Sequence, residues 1–252
     1  LPLAAANDIS KFPGLERKGS RVIVYRDKTK INSLSDTQGK KGYAVSFNSL
    51  LDHIMKHLNP VEEMAHGIRQ IKYNIPKIAI REIVANAIIH QDFMASGDGP
   101  LIEVFPDKVK ITNPGKPLIP TDRFIDSPSR SRNVKFGNLM RRLGLCEERG
   151  SGIDRALAAI ERAVLPAPMI QQVEDTTVVT LFCAKQFADM SKEDRIRACY
   201  QHACLCIEKN EPMSNSSFRA RLGLSDKQYP QASIIIAEAK EAHIFVGVQI
   251  QN

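Results

Sequence analysis

Arg81–Phe93 (REIVANAIIHQDF) spaces Glu82, Asn86 and His90 four residues apart. On a helix, positions i, i+4 and i+8 fall along one side, so three polar groups share a line. The residues between them, Ile83, Val84, Ala87, Ile88 and Ile89, are apolar and pack inward. A carboxylate, an amide and an imidazole on an otherwise buried helix are costly unless they meet water, a metal or a ligand. The spacing therefore predicts a core helix whose polar edge lines a ligand site, with a nucleotide as the starting expectation.

Working outward, Pro76 begins this helix, where its missing N–H costs little. Upstream, Phe47, Leu50, Leu51, Ile54 and Leu58 follow helical spacing, and a further helix is expected to about Lys72. The first 45 residues read as an irregular segment with one strand, Arg21–Tyr25. Downstream, LIEVF (Leu101–Phe105) and VKIT (Val109–Thr112) form a hairpin that runs into Asn113-Pro114-Gly115. Lys116–Asn133, rich in Pro, Ser, Asp and Arg, is expected to be a long loop, and loops of that length usually serve function or are disordered. Helices follow near Phe136–Leu143 and Ile153–Val164, with the small-residue stretch Gly150-Ser151-Gly152 before the second, and Thr177–Cys183 is a strand.

After a linker near Gln186–Lys192 the texture changes. Helices are expected at Lys192–Lys209, Asn215–Leu222 and Ala232–Ala242, with a terminal strand at His243–Ile250. That order reads as a helix-turn-helix unit with a wing. Three units result: 1–45 as a linker and strand segment left from a longer protein, 46–187 as the ligand-binding domain, and 188–252 as the winged-helix domain.

The 252 residues suffice for such cores, and 43% hydrophobic with 25% charged residues is ordinary for a globular protein. No apolar run approaches the ~20 residues that span a bilayer, and no membrane partner is expected. Five cysteines without a disulfide framework favour a reducing compartment, the cytoplasm. Cys199, His202, Cys204 and Cys206 lie close together but lack CxxC spacing, so packing on a helix is preferred to zinc. The charge of +7 is uneven: residues 16–41 hold eight basic and three acidic residues, whereas 188–252 hold eight of each. The basic stretch suits either a phosphate partner or a solvated surface.

The order E-x-x-x-N (Glu82, Asn86), N-P-G (Asn113–Gly115), R-N (Arg132, Asn133) and E-R-G-S-G-I (Glu148–Ile153) resembles the GHKL ATPases. More narrowly it resembles the branch attached to Schlafen-type AlbA domains and labelled as transcriptional regulators or RecG-related helicase C-terminal regions. The likeness runs over about residues 20–250, including the C-terminal winged-helix segment. It implies an α+β fold of Bergerat type, a mixed sheet with helices on one face, followed by a small winged helix. It implies ATP and Mg²⁺ as cofactors, with Asn86 as the metal ligand and Glu82 as the catalytic carboxylate.

The chemistry has its own reasons. Mg²⁺ wants oxygen ligands, which the Asn86 amide offers. Glu82, one turn earlier, is placed to orient or deprotonate a water attacking a γ-phosphate; the alternative is a surface pair with Arg81. His90 is either a water holder or a structural histidine. Asn113, standing where the family has Asp, accepts from an adenine amino group without charge, and Gly115 lets the backbone pass near the base; a plain strand-ending turn would use the same residues. Gly150, Ser151 and Gly152 are expected to present N–H groups and a helix start to phosphate, or else serve as a small-residue helix entry; Arg132 and Arg149 either neutralise phosphate charge or stay on a solvent-facing loop, and the resemblance adds Asn133 to the nucleotide set.

The chain lacks the GxxxxGK[ST] loop of a helicase motor. The expected function is thus an ATP-binding regulator, a transcriptional one by resemblance, whose nucleotide state reshapes the 116–133 loop, with slow Mg²⁺-dependent hydrolysis left open. The competing reading is a DNA-binding or docking winged helix beside a degenerate nucleotide site, with Arg219, Arg221 and Lys227 facing DNA. The neutral charge of the tail argues against strong DNA binding, and a homo-oligomer is left open.

Overall fold

Period-two apolar positions, Val22 and Val24, Ile102 and Val104, Val109 and Ile111, Val179 and Leu181, meet in one core in the computed structural model. The structure describes residues 2–58, 61–65, 68–72, 74–125, 130–146 and 151–242. The strands bearing those residues belong to a six-stranded sheet. In spatial order they are β2 (Ser33–Gln38), β1 (Arg21–Tyr25), β5 (Leu101–Val104), β6 (Lys108–Pro114), β8 (Thr176–Phe182) and β7 (Met169–Val173). Among the described residues only β1 and β5 pair in parallel; the other pairings are antiparallel, so the sheet is mixed.

Helices α1 (Pro2–Ala5), α2 (Tyr43–Lys56), α3 (Lys77–His90), α4 (Val134–Arg142) and α5 (Gly152–Arg162) accompany the sheet. α3 is the centrepiece. Its Ile80, Ile83, Val84 and Ile88 share a core with the inner sheet residues, with Phe47, Leu51 and Ile54 of α2, and with Ala156 and Ile160 of α5. Each buried aliphatic side chain of this kind contributes roughly 1.5–3 kcal/mol, which fixes the helix firmly enough for its polar edge to serve as one wall of a site.

The C-terminal region has a second core. Helices α6 (Lys192–Glu208), α7 (Asn215–Leu222) and α8 (Tyr229–Glu241) bury Ala203, Met213, Phe218, Leu222, Ile235 and Ala239 among themselves. Capping boxes at Ser191 with Asp194 and at Ser214 with Ser217 start α6 and α7, and Gly223 in the left-handed region (φ 66°) ends α7. The result is a mixed α+β sandwich followed by a helical unit, as expected.

Three expectations are corrected. The stretch expected to be a helix to Lys72 is instead an antiparallel pair, β3 (Val61–Ala65) and β4 (Ile68–Lys72), with Ala65 opposite Ile68. The signal was Gly67, a poor residue for a helix interior. Residues 1–45 are not a linker outside the domain: β1 lies between β2 and β5 and completes the sheet. β2 was missed because SLSDTQ has little strand propensity; it is a strand because β1 pairs with its backbone over Ser33–Gln38. The expected terminal strand, His243–Ile250, lies outside the described residues.

No helix among the described residues is long and apolar enough to cross a membrane. Cys199, His202, Cys204 and Cys206 all lie on α6, and no metal-binding cluster occurs among the described residues.

Candidate functional site

Because α3 buries its apolar residues against the sheet, Glu82, Asn86 and His90 emerge along one edge, and all three line a single cavity. Asn113 and Thr177, opposite each other on β6 and β8, line it as well, and Gly152 brings the start of α5 to it. The cavity holds about 220 Å³, near the lower end of the ~300–1,000 Å³ usual for small-molecule sites. A longer ligand must therefore extend toward its open side. Ile83, Ala87, Ile111 and Val179 give it an apolar wall on the helix and sheet, and Leu118, Ile119, Phe124 and Ile125 a second on the loop.

Glu82 is only 3% exposed. Burial pushes its carboxyl above the usual carboxylate range, against the opposing pull of Arg155 and Arg81; Arg155 Nη1 lies 3.5 Å from Oε1. A Cβ on Gly152 would stand 2.9 Å from Glu82 Oε2 and 3.8 Å from Asn86 Nδ2, so glycine is what lets α5 begin directly against these two groups. Burial, with Arg132 beside it, pushes the His90 imidazole below its ordinary value.

Asn113 is 6% exposed, and its amide nitrogen makes one long contact, 3.5 Å, with the Pro114 carbonyl. The Thr177 hydroxyl donates to the Gly115 carbonyl at 2.9 Å.

Several expected ligand residues have other work. Gly115, at φ 108°, does not line the cavity; a Cβ there would meet Asp92 Cβ at 2.9 Å, so its glycine serves the turn against the end of α3. Arg132 donates to the His90 carbonyl at 3.3 Å and the Lys116 carbonyl at 2.6 Å. Asn133 donates to the Ile89 and Gln91 carbonyls at 2.8 and 2.7 Å, satisfying backbone oxygens at the end of α3 that the helix leaves unpaired. The R-N pair thus holds the cavity-lining helix in place. Asn133→Ala should cost about 1–2 kcal/mol through these two bonds, measured by urea unfolding; an unchanged midpoint would refute the capping role. Ser151 is not among the lining residues, and Arg149 and Gly150 lie outside the described residues.

The cations on the cavity wall are instead Lys116, Arg130 and Arg141. Arg130 stands two residues before the R-N pair Arg132-Asn133 and was not singled out from the sequence. Asp154, also missed, lines the cavity from the first turn of α5, where burial and then Glu208 raise its carboxyl to about 6. Its folded-state value lies above the ordinary one, so stability falls as pH rises from about 4 through 6. Asp154→Asn should therefore melt higher than the natural protein at pH 7.5, by on the order of 1–2 kcal/mol, with the gap closing toward pH 4. A gap independent of pH would contradict this.

The residues expected to face DNA are mostly turned inward. Arg221 is 5% exposed, with Nε 3.3 Å from Glu161 Oε2. Arg219 pairs with Asp226, donates to Asn215 Oδ1 at 2.9 Å and lies over the Tyr229 ring. Lys227 lies on an exposed turn between α7 and α8.

Residues 97–181 match the family described as "Putative ATP-dependent DNA helicase recG C-terminal". This region, from β5 nearly to the end of β8, is thus ATPase-like; it includes Asn113 and Gly152 but not α3. Among solved structures, the DIP2311 protein from Corynebacterium diphtheriae matches with a TM-score of 0.62 at 18% identity, over 88% of this chain and 47% of that one. That likeness shows the fold alone, and this chain spans about half the length of that protein. No curated protein matches the chain.

Proposed function

We propose that this chain is a nucleotide-binding regulatory module of GHKL type that takes ATP with Mg²⁺ in the cavity beside α3. The observation that carries the reading is convergence: the polar edge of α3, Asn113 at the end of β6 and the glycine-started α5 all border one space. Asn86 would hold Mg²⁺ through its amide oxygen, a donor suited to a hard cation. That ion would neutralise phosphate charge and orient the terminal phosphate.

Glu82, whose carboxylate form burial makes a stronger base than a solvent carboxylate, would accept a proton from a water near that phosphate. Asn113 meets the base edge through its amide. Lys116, Arg130 and Arg141, with the start of α5, supply the positive surface for the phosphates. Turnover is slow or absent, and the missing P-loop removes helicase motor chemistry.

In the same proposal residues 188–252 form a winged helix used for docking within or between chains. The inward Arg221 and Arg219 favour docking over DNA, since DNA binding draws heavily on free cations. A transcriptional role and linkage to a Schlafen-type AlbA domain rest on the sequence resemblance.

A thermal melt with and without ATP–Mg²⁺ tests the reading. At a ligand concentration 100 times Kd, binding to the folded state adds about 2.7 kcal/mol, roughly 5–10 °C for a chain of this length. No rise at millimolar ATP–Mg²⁺ would refute it.

A further inference from the structure

Away from the cavity, three charged groups from three helices meet in the interior. Glu161, near the end of α5, accepts at Oε1 from His202 Nδ1 of α6 at 3.0 Å and faces Arg221 Nε of α7 through Oε2 at 3.3 Å. His202 and Arg221 are each 5% exposed. His202 Nε2 lies 3.0 Å from Ser217 Oγ on α7, and Cys206 Sγ lies 3.7 Å from the same nitrogen.

The serine–histidine–glutamate order resembles a nucleophilic triad, but the protons run the wrong way. Burial opposes a charged His202, yet its bonds to Cys206 and Glu161 prevail and raise it to about 9. Both ring nitrogens then donate, and the Ser217 hydroxyl donates to the Ser214 carbonyl at 3.0 Å. No base is left for the serine, so the cluster is a clamp and not a catalytic centre.

The same α6 also touches the cavity loop. The Tyr200 hydroxyl donates to the Asp122 carbonyl at 2.8 Å, and Ile125, a cavity-lining residue, packs with Leu157, Tyr200, Cys204 and Leu205. α5 therefore has one end on Glu82 and Asn86 and the other in the clamp, while α6 bridges the clamp and the loop.

We propose that α5 and α6 transmit the state of the cavity to α7, with Glu161, His202 and Arg221 as the joint and the Tyr200–Asp122 bond as the second linkage. The inference rests on the nucleotide reading of the cavity. It gives that reading a regulatory output: a ligand drawing in the 117–125 loop shifts α6, and the charged joint carries the shift to α7. A rigid joint suits this task because a close-packed interior resists gradual deformation.

Hydrogen exchange of the α7 amides, measured with and without ATP–Mg²⁺, tests the proposal. In the natural protein exchange across Asn215–Leu222 should change by about fivefold or more, the lower end of ordinary coupling. The double variant Glu161→Gln/Arg221→Met removes both charges of the pair together, a replacement that buried ion pairs often tolerate. It should bind ATP–Mg²⁺ as before by calorimetry while the α7 response disappears. Tyr200→Phe, which removes the hydroxyl bond to the Asp122 carbonyl, should weaken the response in the same direction. Intact ATP binding with no α7 response in the natural protein, or an undiminished response in both variants, overturns the proposal. Absence of ATP binding in the natural protein overturns the nucleotide reading and the proposal with it.

Discussion

Asn86→Ala should reduce ATP–Mg²⁺ affinity from the micromolar range by about 100-fold or more, beyond the 10–100-fold usual for groups that only support a metal ligand. The side chain sits in the one place where the polar edge of α3 meets the start of α5, 3.8 Å from where a Gly152 Cβ would lie. Under the proposed nucleotide reading, removing its amide would take away the neutral oxygen donor for Mg²⁺ and would leave Glu82 and the phosphates facing each other without that cation. The fold should tolerate the change, because Asn86 is half-buried on the cavity edge and alanine is a strong helix former. The melting temperature without ligand should stay within what about 0.5 kcal/mol produces. Calorimetric affinity unchanged from the natural protein would remove Asn86 from the site.

Glu161→Ala should be the most damaging single change to stability. Among the described residues it strips the carboxylate that faces both His202 and Arg221; Arg221 is left buried without its counter-charge and the His202 imidazolium loses its support, a loss of about 3–5 kcal/mol. For a chain of this size that corresponds to a fall in Tm of roughly 6–20 °C. The deficit should depend on pH in a defined direction. The folded-state value of His202, about 9, lies above its ordinary 6.5. Its contribution is therefore fully present below about 6.5 and is lost as pH rises through 9. Urea unfolding at pH 6 and pH 9.5 should show the variant's deficit shrinking at the higher pH; a deficit that grows with pH would contradict a charged His202.

The sequence carried the parts of the fold that depend on local pattern. Glu82, Asn86 and His90 fall on one edge because a 3.6-residue repeat leaves no other arrangement, and the β5–β6 alternation set the inner face of the sheet. What it did not carry was decided by distant partners. SLSDTQ becomes β2 through pairing with β1, and Arg132 and Asn133 turn to carbonyls at the end of α3 more than 40 residues away. Lys116, Arg130 and Arg141 reach the cavity from a strand end, a loop and a helix, and no spacing rule connects them. Arg221 looked available to DNA because its burial depends on Glu161, 60 residues upstream in another helix.

If α3, the end of β6 and the start of α5 together enclose a nucleotide, a crystal structure with ATP–Mg²⁺ should show the base against Asn113, the metal at the Asn86 amide oxygen and the phosphates toward Gly152. An empty cavity at saturating ligand, or a nucleotide bound on another surface, would contradict it.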